Sequence, residues 1–442
     1  MKTFSKFLNK INFSGFDFFS LGNSAILYYF LIFYLKPISE FLGISEDLID
    51  NKFVHYKIIF YITIGFIFLI IGYFSQIHSI ILRKSSNFLK QKWDFNKALW
   101  IFAGVFILSL IVKAIRIFGG GYSHLYQNPL FIKNHFYNLV GLLDWLAYIA
   151  LIIAFASYFS LRKDNDERYK IWRFIAWGTL IIEIIYALPS CSRMPVIIPI
   201  LLYLIIRWHI FEKKYLKTVT ILFFSILFLF PFGSICRLPA YTDLTHKQVI
   251  QLTIGNNIIS GENKQTITST IYYAGNFVIK SFFLRIDQSA IFSGVIKYYQ
   301  SFSHGATFRE LLFVFGPPRF LWNNKPPSMN VDGNSFGHKI HILSDNDFKT
   351  SVGPTVLGDW YINFGLVGII FGMFFMGALF RLIYEYLIKM TEVSLSGVMI
   401  YSVLWIQIIK GMEDWIAPVY VGIIRITVIL IIIHFLLIKK TK

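Results

Sequence analysis

Runs of apolar residues set the frame of the chain. Ten of them reach about 17 residues or more, near 17–35, 57–77, 98–116, 138–161, 171–188, 194–208, 216–233, 360–385, 394–411 and 417–438. Helices of that length, rising about 1.5 Å per residue, cover most of a hydrocarbon layer about 30 Å thick. Hydrocarbon offers the backbone no hydrogen-bond partner, so spanning segments must satisfy their own N–H and C=O groups as helices. The pattern therefore predicts an all-α polytopic membrane protein of about ten spans, the sixth of them short. No small-residue cleavage site follows the first stretch and acidic sequence does, so it is expected to stay as a span.

The polar residues between these runs give the chain a direction. Lys2, Lys6 and Lys10 precede the first span, and Arg83, Lys84, Lys90, Lys92 and Lys97 follow the second. Arg162, Lys163, Arg168 and Lys170 follow the fourth, Arg207, Lys213, Lys214 and Lys217 the sixth, and Lys439, Lys440 and Lys442 the last. Every second connection is basic, which places those connections and both termini on the cytoplasmic side. The first intervening loop, with Glu40, Glu46, Asp47 and Asp50, falls on the other side. Composition agrees: 56% of the 442 residues are hydrophobic, 19% aromatic and 15% charged, with a mean hydropathy of +0.59. A soluble domain is excluded. The net charge of +18 is read as topology signal and anionic-lipid contact rather than nucleic-acid binding.

One connection is long, and it divides the chain into spans over 1–233, an extracytoplasmic loop domain over 234–354 and further spans over 355–442. A loop of that length is usually functional. Chemistry there proceeds without ATP or nucleotide-activated donors. Within it, "SFFLRIDQSAIFSGVIKYYQSF" sets Leu284, Ile291, Val295 and Tyr298 at helical spacing, as in an amphipathic helix lying on the membrane surface. Arg285 and Asp287, two residues apart, point to different sides of such a helix. His304, Arg309 and Glu310 follow, then "FGPPRFLWNNKPPSMN" with Arg319 and Lys325, then "DGNSFGHKIH" with His338 and His341. Asp359, Tyr361 and Asn363 stand at the outer mouth of the eighth span, and Asp359 and Asn363, four apart, share a helix face.

Arg193 in an outer turn, Arg237 just past the seventh span, and Glu413 with Asp414 past the ninth converge on the same side. The plain alternative for each is a solvated or headgroup-anchoring charge. Metal chemistry is not expected: the "DND" at 164–166 is cytoplasmic, that at 345–347 lies away from nucleotide sugars, and His338 and His341 lack a third ligand. Cys191 and Cys236, at the outer ends of spans, are read as free thiols with a bridge between them as the alternative, "GGGY" at Gly119 as an outer turn, and Asp144, Glu183 and Arg425 inside the membrane as packing partners or the floor of the site.

The order of "SR", "RID", "PPRFLWNNKP", "GNSFG" and "TSVGPTVLGDWYINFGLVGIIFGMFFMG" resembles the oligosaccharide repeat-unit polymerases, the Wzy-type O-antigen and capsule polymerases of bacteria; the specific part runs from Arg285 to Gly377. The resemblance implies a GT-C-like, metal-independent glycosyltransferase without cofactor in the bacterial inner membrane. Its active site would be periplasmic, moving a growing glycan from undecaprenyl diphosphate to a hydroxyl of an incoming carrier-linked unit. It implies membrane lipids, a Wzz-type chain-length regulator and a Wzx-type flippase as partners. Carried over as site positions are Arg285, Asp287, Arg319, Lys325 and Asp359. Arg193 and Arg237 are added as phosphate contacts and Tyr361 and Asn363 as substrate contacts. A base for the acceptor hydroxyl is sought among Asp287, Glu310, Asp359 and His338. The alternatives are an O-antigen ligase, which uses similar arginines, and a transporter or flippase, for which internal repeats and broken midplane helices are the expected marks.

Overall fold

The computed structural model describes residues 17–41, 52–82, 87–118, 143–190, 193–211, 218–222, 224–225, 286–299, 301–309, 311, 333–344, 347 and 350–439. Among them there is no strand beyond one isolated bridge, Trp93 to Ile438. The α-helices of seven residues or more are α1 (Leu21–Phe41), α2 (Lys52–Phe74), α3 (Phe95–Phe118), α4 (Trp145–Lys163), α5 (Tyr169–Ala187), α6 (Arg193–Ile210), α7 (Ser289–Tyr298), α8 (Gly333–Lys339), α9 (Thr355–Tyr384), α10 (Leu395–Gly411) and α11 (Ile416–Leu437). Eight of these are long and apolar enough to cross a membrane: α1 to α6, α9 and α11.

Eight of the ten expected spans are thus seen among the described residues. The ninth stretch forms α10, of 17 residues, and most of the seventh lies outside the described residues, with helical pieces at 218–222 and 224–225. Large apolar side chains such as Trp100, Phe118, Phe174 and Phe371 point outward, as lipid-facing residues do, while polar side chains turn inward.

Packing follows residue size. In α4 every residue from Ile149 to Ser157 is fully buried, and the alanines among them let α3, α5, α6 and α10 close around it. Gly72 and Gly377 do the same for α2 and α9: a Cβ on Gly72 would lie 2.0 Å from the Phe374 carbonyl oxygen, and one on Gly377 2.1 Å from that of Leu69. At the closed end of the bundle Trp93 Nε1 donates to Ser396 Oγ, 2.7 Å away, and His434 Nδ1 lies 2.7 Å from the same oxygen.

The eighth stretch is not one straight span. Gly365 has φ 64° and ψ −144°, a backbone that only glycine adopts readily. A Cβ on Gly368 would sit 2.2 Å from the Trp360 carbonyl oxygen, and one on Gly372 2.1 Å from the Trp360 ring. In a straight helix those pairs would be about 12 and 18 Å apart. The chain therefore reverses at Gly365, and both arms lie along α2: a Cβ on Gly65 would meet Leu357 of the first arm and Ile369 of the second. The result is a short arm, 355–364, folded back on the longer arm that continues to Tyr384.

Candidate functional site

At the end of the bundle opposite the Trp93–Ile438 bridge, the α10–α11 turn, the short arm of α9, α7, the turn at 303–308 and α8 meet. The reversal at Gly365 exposes carbonyls that a continuous helix would use. Two are captured by the turn: Ser303 N donates to Ile362 O (2.9 Å) and His304 N to Asn363 O (3.1 Å). His304 and Gly305 take left-handed backbone to make this possible, with φ 47° and 84°. Phe302 packs on Gly365, where a Cβ would come 2.5 Å from its ring, and Phe308 packs on Trp360, ring centroids 4.8 Å apart.

Asp359 ties these pieces together. Its side chain is completely buried. Oδ1 accepts from Thr307 Oγ1 (2.7 Å) and Asn363 Nδ2 (3.1 Å), and Oδ2 accepts from Ile416 N (2.9 Å). Ile416 opens α11, where the preceding Trp415 brings no side-chain acceptor, so the carboxylate caps that helix and complements its dipole. Asn363 Nδ2 also donates to the Asp359 carbonyl (2.8 Å) and to Thr307 Oγ1. The preceding Thr355 holds φ 68° while fully buried, an outlier for a β-branched residue. Its Oγ1 accepts from Gly358 N (3.1 Å), and Val356 N donates to Met412 O (3.0 Å). Tyr299 lies close by; burial first, then the Asp359 charge, push its hydroxyl up to about 12. The Lys339 ammonium covers the same ring at 3.8 Å.

Asp287 is bound in a different way. It faces Lys36 of α1 at 3.4 Å, both side chains buried, and accepts from Ser289 N (2.9 Å) and Ser289 Oγ. Its helix, α7, departs from the expected membrane-surface helix. Ser289, Phe292, Ser293, Gly294 and Val295 are buried against α1, α2 and α9, because the small side chains admit close neighbours such as Ile340 at Gly294.

The expected site residues thus separate into groups. Asp359, Tyr361 and Asn363 converge with the loop, Tyr361 through rings of Tyr61, Phe292 and Phe302. Asp287 anchors α7, and His338 Nε2 lies 3.0 Å from the Asp347 carbonyl. Arg193 opens α6 at the same end of the bundle, on a helix that packs mainly on α4, α5 and α10. Arg237, Arg285, Glu310, Arg319 and Lys325, together with Cys191, Cys236 and Gly119, lie outside the described residues. Lys36, Thr307 and Tyr28, whose hydroxyl donates to Glu413 Oε1, were not singled out; a lone Lys or Thr in an apolar run carries no partner signal. Glu183 pairs with Lys113 and Asp144 with Arg116, as packing partners do. Arg425 is exposed instead, since its position on α11 faces away from the core. No cluster of three metal-ligating side chains occurs among the described residues.

The mouth also holds an unspent donor. Trp415 is buried, its ring centroid 5.3 Å from that of Phe336, and among the described residues its Nε1 finds no hydrogen-bond partner; neither does the buried Gln288 Oε1.

The profile of a family described as a domain of unknown function (DUF8712) matches residues 124–441. That range contains Asp287, Thr307, Asp359 and Trp415, and leaves out Tyr28 and Lys36. No curated protein and no solved structure matches the chain.

Proposed function

The chain belongs to the DUF8712 family, and we propose that it is a membrane-embedded glycosyltransferase that polymerises lipid-diphosphate-linked oligosaccharide units at the extracytoplasmic face. The observation that carries this is the orphan indole N–H of Trp415 beside the Asp359 joint. A buried donor without a partner costs about 1–3 kcal/mol, and this one, packed against the buried ring of Phe336, is the kind of group that a sugar hydroxyl satisfies. The basic pattern of alternate loops supports placing that mouth outside.

Asp359 and Asp287 have their oxygens occupied by structural partners. The reading therefore gives the base role to Glu413, half-buried at the mouth and oriented by Tyr28. Glu413 takes the proton of the acceptor hydroxyl, whose oxygen bonds to the anomeric carbon of the donor. The bond from that carbon to the diphosphate oxygen breaks, and the lipid diphosphate leaves with the electron pair. Arg285, Arg319 and Lys325, flanking the described segments, supply the positive charge that leaving group needs. Arg319→Lys keeps the charge but loses the fork, and turnover is expected to fall roughly 10²-fold.

Deletion of the protein tests the reading. A surface glycan reduced to single repeat units on electrophoresis is the expected result; loss of all glycan from the surface would point to a ligase or flippase. Glu413→Gln, inserted at normal abundance, should reproduce the single-unit pattern. Reporters fused after Lys213 and near Ser344 should be active in the cytoplasm and outside it, respectively, and the reverse labelling would overturn the sidedness.

A further inference from the structure

At the closed end of the bundle, where α4 turns into α5 beside the end of α6, an open cavity of about 420 Å³ is lined by Arg162, Lys163, Asn165, Tyr169 and Phe211. From this geometry we infer that the cavity binds a phosphate group, and its position at a helix-bundle end ringed by aromatics assigns that phosphate to the headgroup of an anionic lipid.

The charge in the cavity is built rather than incidental. The Arg162 guanidinium donates through Nη1 to Tyr158 Oη at 2.9 Å and lies 4.8 Å from the centre of the Phe211 ring, so one of its five N–H donors is spent and its plane is fixed. Lys163 adds a second cation, and among the described residues the lining contains no carboxylate. Asp166, in the same turn, is held in an ion pair of its own. Arg168 grips it with Nε and Nη2, at 3.0 and 2.6 Å, and that grip holds the carboxyl down at about 2. Asp164 and Glu167 lie in the same turn but outside the lining. Asn165, with φ 54°, folds the turn and joins the wall. Tyr169 and Phe211 form the apolar side, as interfacial aromatics do beside lipid headgroups.

The test uses the full chain in a neutral detergent. Native mass spectrometry reads the binding of short-chain phosphatidylglycerol, short-chain phosphatidylcholine and inorganic phosphate to wild type, Arg162→Gln, Lys163→Gln and Arg168→Gln. Phosphatidylglycerol should bind wild type and lose about tenfold in affinity in Arg162→Gln, where the charge and the fork both vanish. Lys163→Gln should lose less. Arg168→Gln, which frees the Asp166 carboxylate to compete for the two cations, should also weaken binding, by less than Arg162→Gln. Inorganic phosphate binding as tightly as the lipid would assign the site to a soluble phosphate and overturn the lipid assignment. Equal affinity of Arg162→Gln and wild type for both phosphate probes would overturn the site itself, as would failure of both to bind wild type. A thermal unfolding midpoint measured on each variant separates lost binding from lost fold, and Arg162→Lys, which keeps the charge and the bulk, should bind at an intermediate level.

Discussion

Asp359 and Glu183 are both buried carboxylates among apolar helices, and they are held by opposite means. Asp359 draws its hydrogen bonds from neutral donors on separate segments: the hydroxyl of Thr307, the amide of Asn363 and the backbone N–H of Ile416. Glu183 faces a single ammonium, that of Lys113, which also lies 4.8 Å from the Tyr186 ring centre. An ion pair joins two helices and nothing else; its attraction is largely offset by the cost of drying both charges. A carboxylate spread over neutral donors knits a loop, a helix arm and the start of another helix into one unit. The mouth of the bundle is thus built as a joint, and the flank of α3, α4 and α5 as a staple.

Removing the centre of the joint should cost most. Asp359→Ala leaves the Thr307 hydroxyl and the Ile416 N–H without their acceptor, while Asn363 keeps the residue-359 carbonyl, and at about 1–3 kcal/mol for each of the two the loss is on the order of 4 kcal/mol. The expected result is little folded protein after extraction. A thermal midpoint near that of the wild type would reduce the joint to coincidence.

The staple should behave differently. Lys113→Met leaves Glu183 buried and uncompensated, a cost of about 3–5 kcal/mol. The double variant Lys113→Met with Glu183→Leu should recover most of that, because neither charge then needs drying. A double variant as unstable as the single one would show that Glu183 has further work to do.

Gly365→Ala sets a side chain on a left-handed backbone against the Phe302 ring and should cost about 1–3 kcal/mol. Protease cleavage at 301–309 in the folded protein is the sensitive readout, since the reversal is what presents the Ile362 and Asn363 carbonyls to Ser303 and His304. Smallest of all, Thr307→Val keeps the shape and drops one hydroxyl, for about 1 kcal/mol. An effect much larger than this would mean that Thr307 carries the joint rather than Asp359.

Much of this arrangement was readable from the chain and some was not, for reasons that differ by residue. The apolar runs that became α1 to α6, α9, α10 and α11 are local signals, and so is the four-residue spacing that puts Asn363 on Asp359. Thr307 and Ile416 reach Asp359 from 52 and 57 residues away, and nothing in a single sequence pairs residues over such distances. Lys36 gives no signal of its own in the sequence, because its partner Asp287 lies just ahead of a helix that reads as amphipathic and superficial. The reversal at Gly365 left no trace in the apolar run at 360–385, whose hydropathy passes smoothly through the turn; the helical stretch that carries it, Thr355–Lys389, is 35 residues long, about 52 Å if straight, far more than a membrane about 30 Å thick requires.

The cap that Asp359 provides to Ile416 also has a consequence for how the protein is made. A chain emerging from the ribosome delivers Asp359 well before the N–H that completes its hydrogen bonds, and domains form as their parts appear. Until residue 416 has been synthesised, the turn at 303–308 has only its bonds to the short arm of α9, and α11 is not there to be capped. The mouth is therefore a late event of biosynthesis: nascent chains arrested before residue 416 should leave the 301–309 segment open to protease, and those arrested well past it should not.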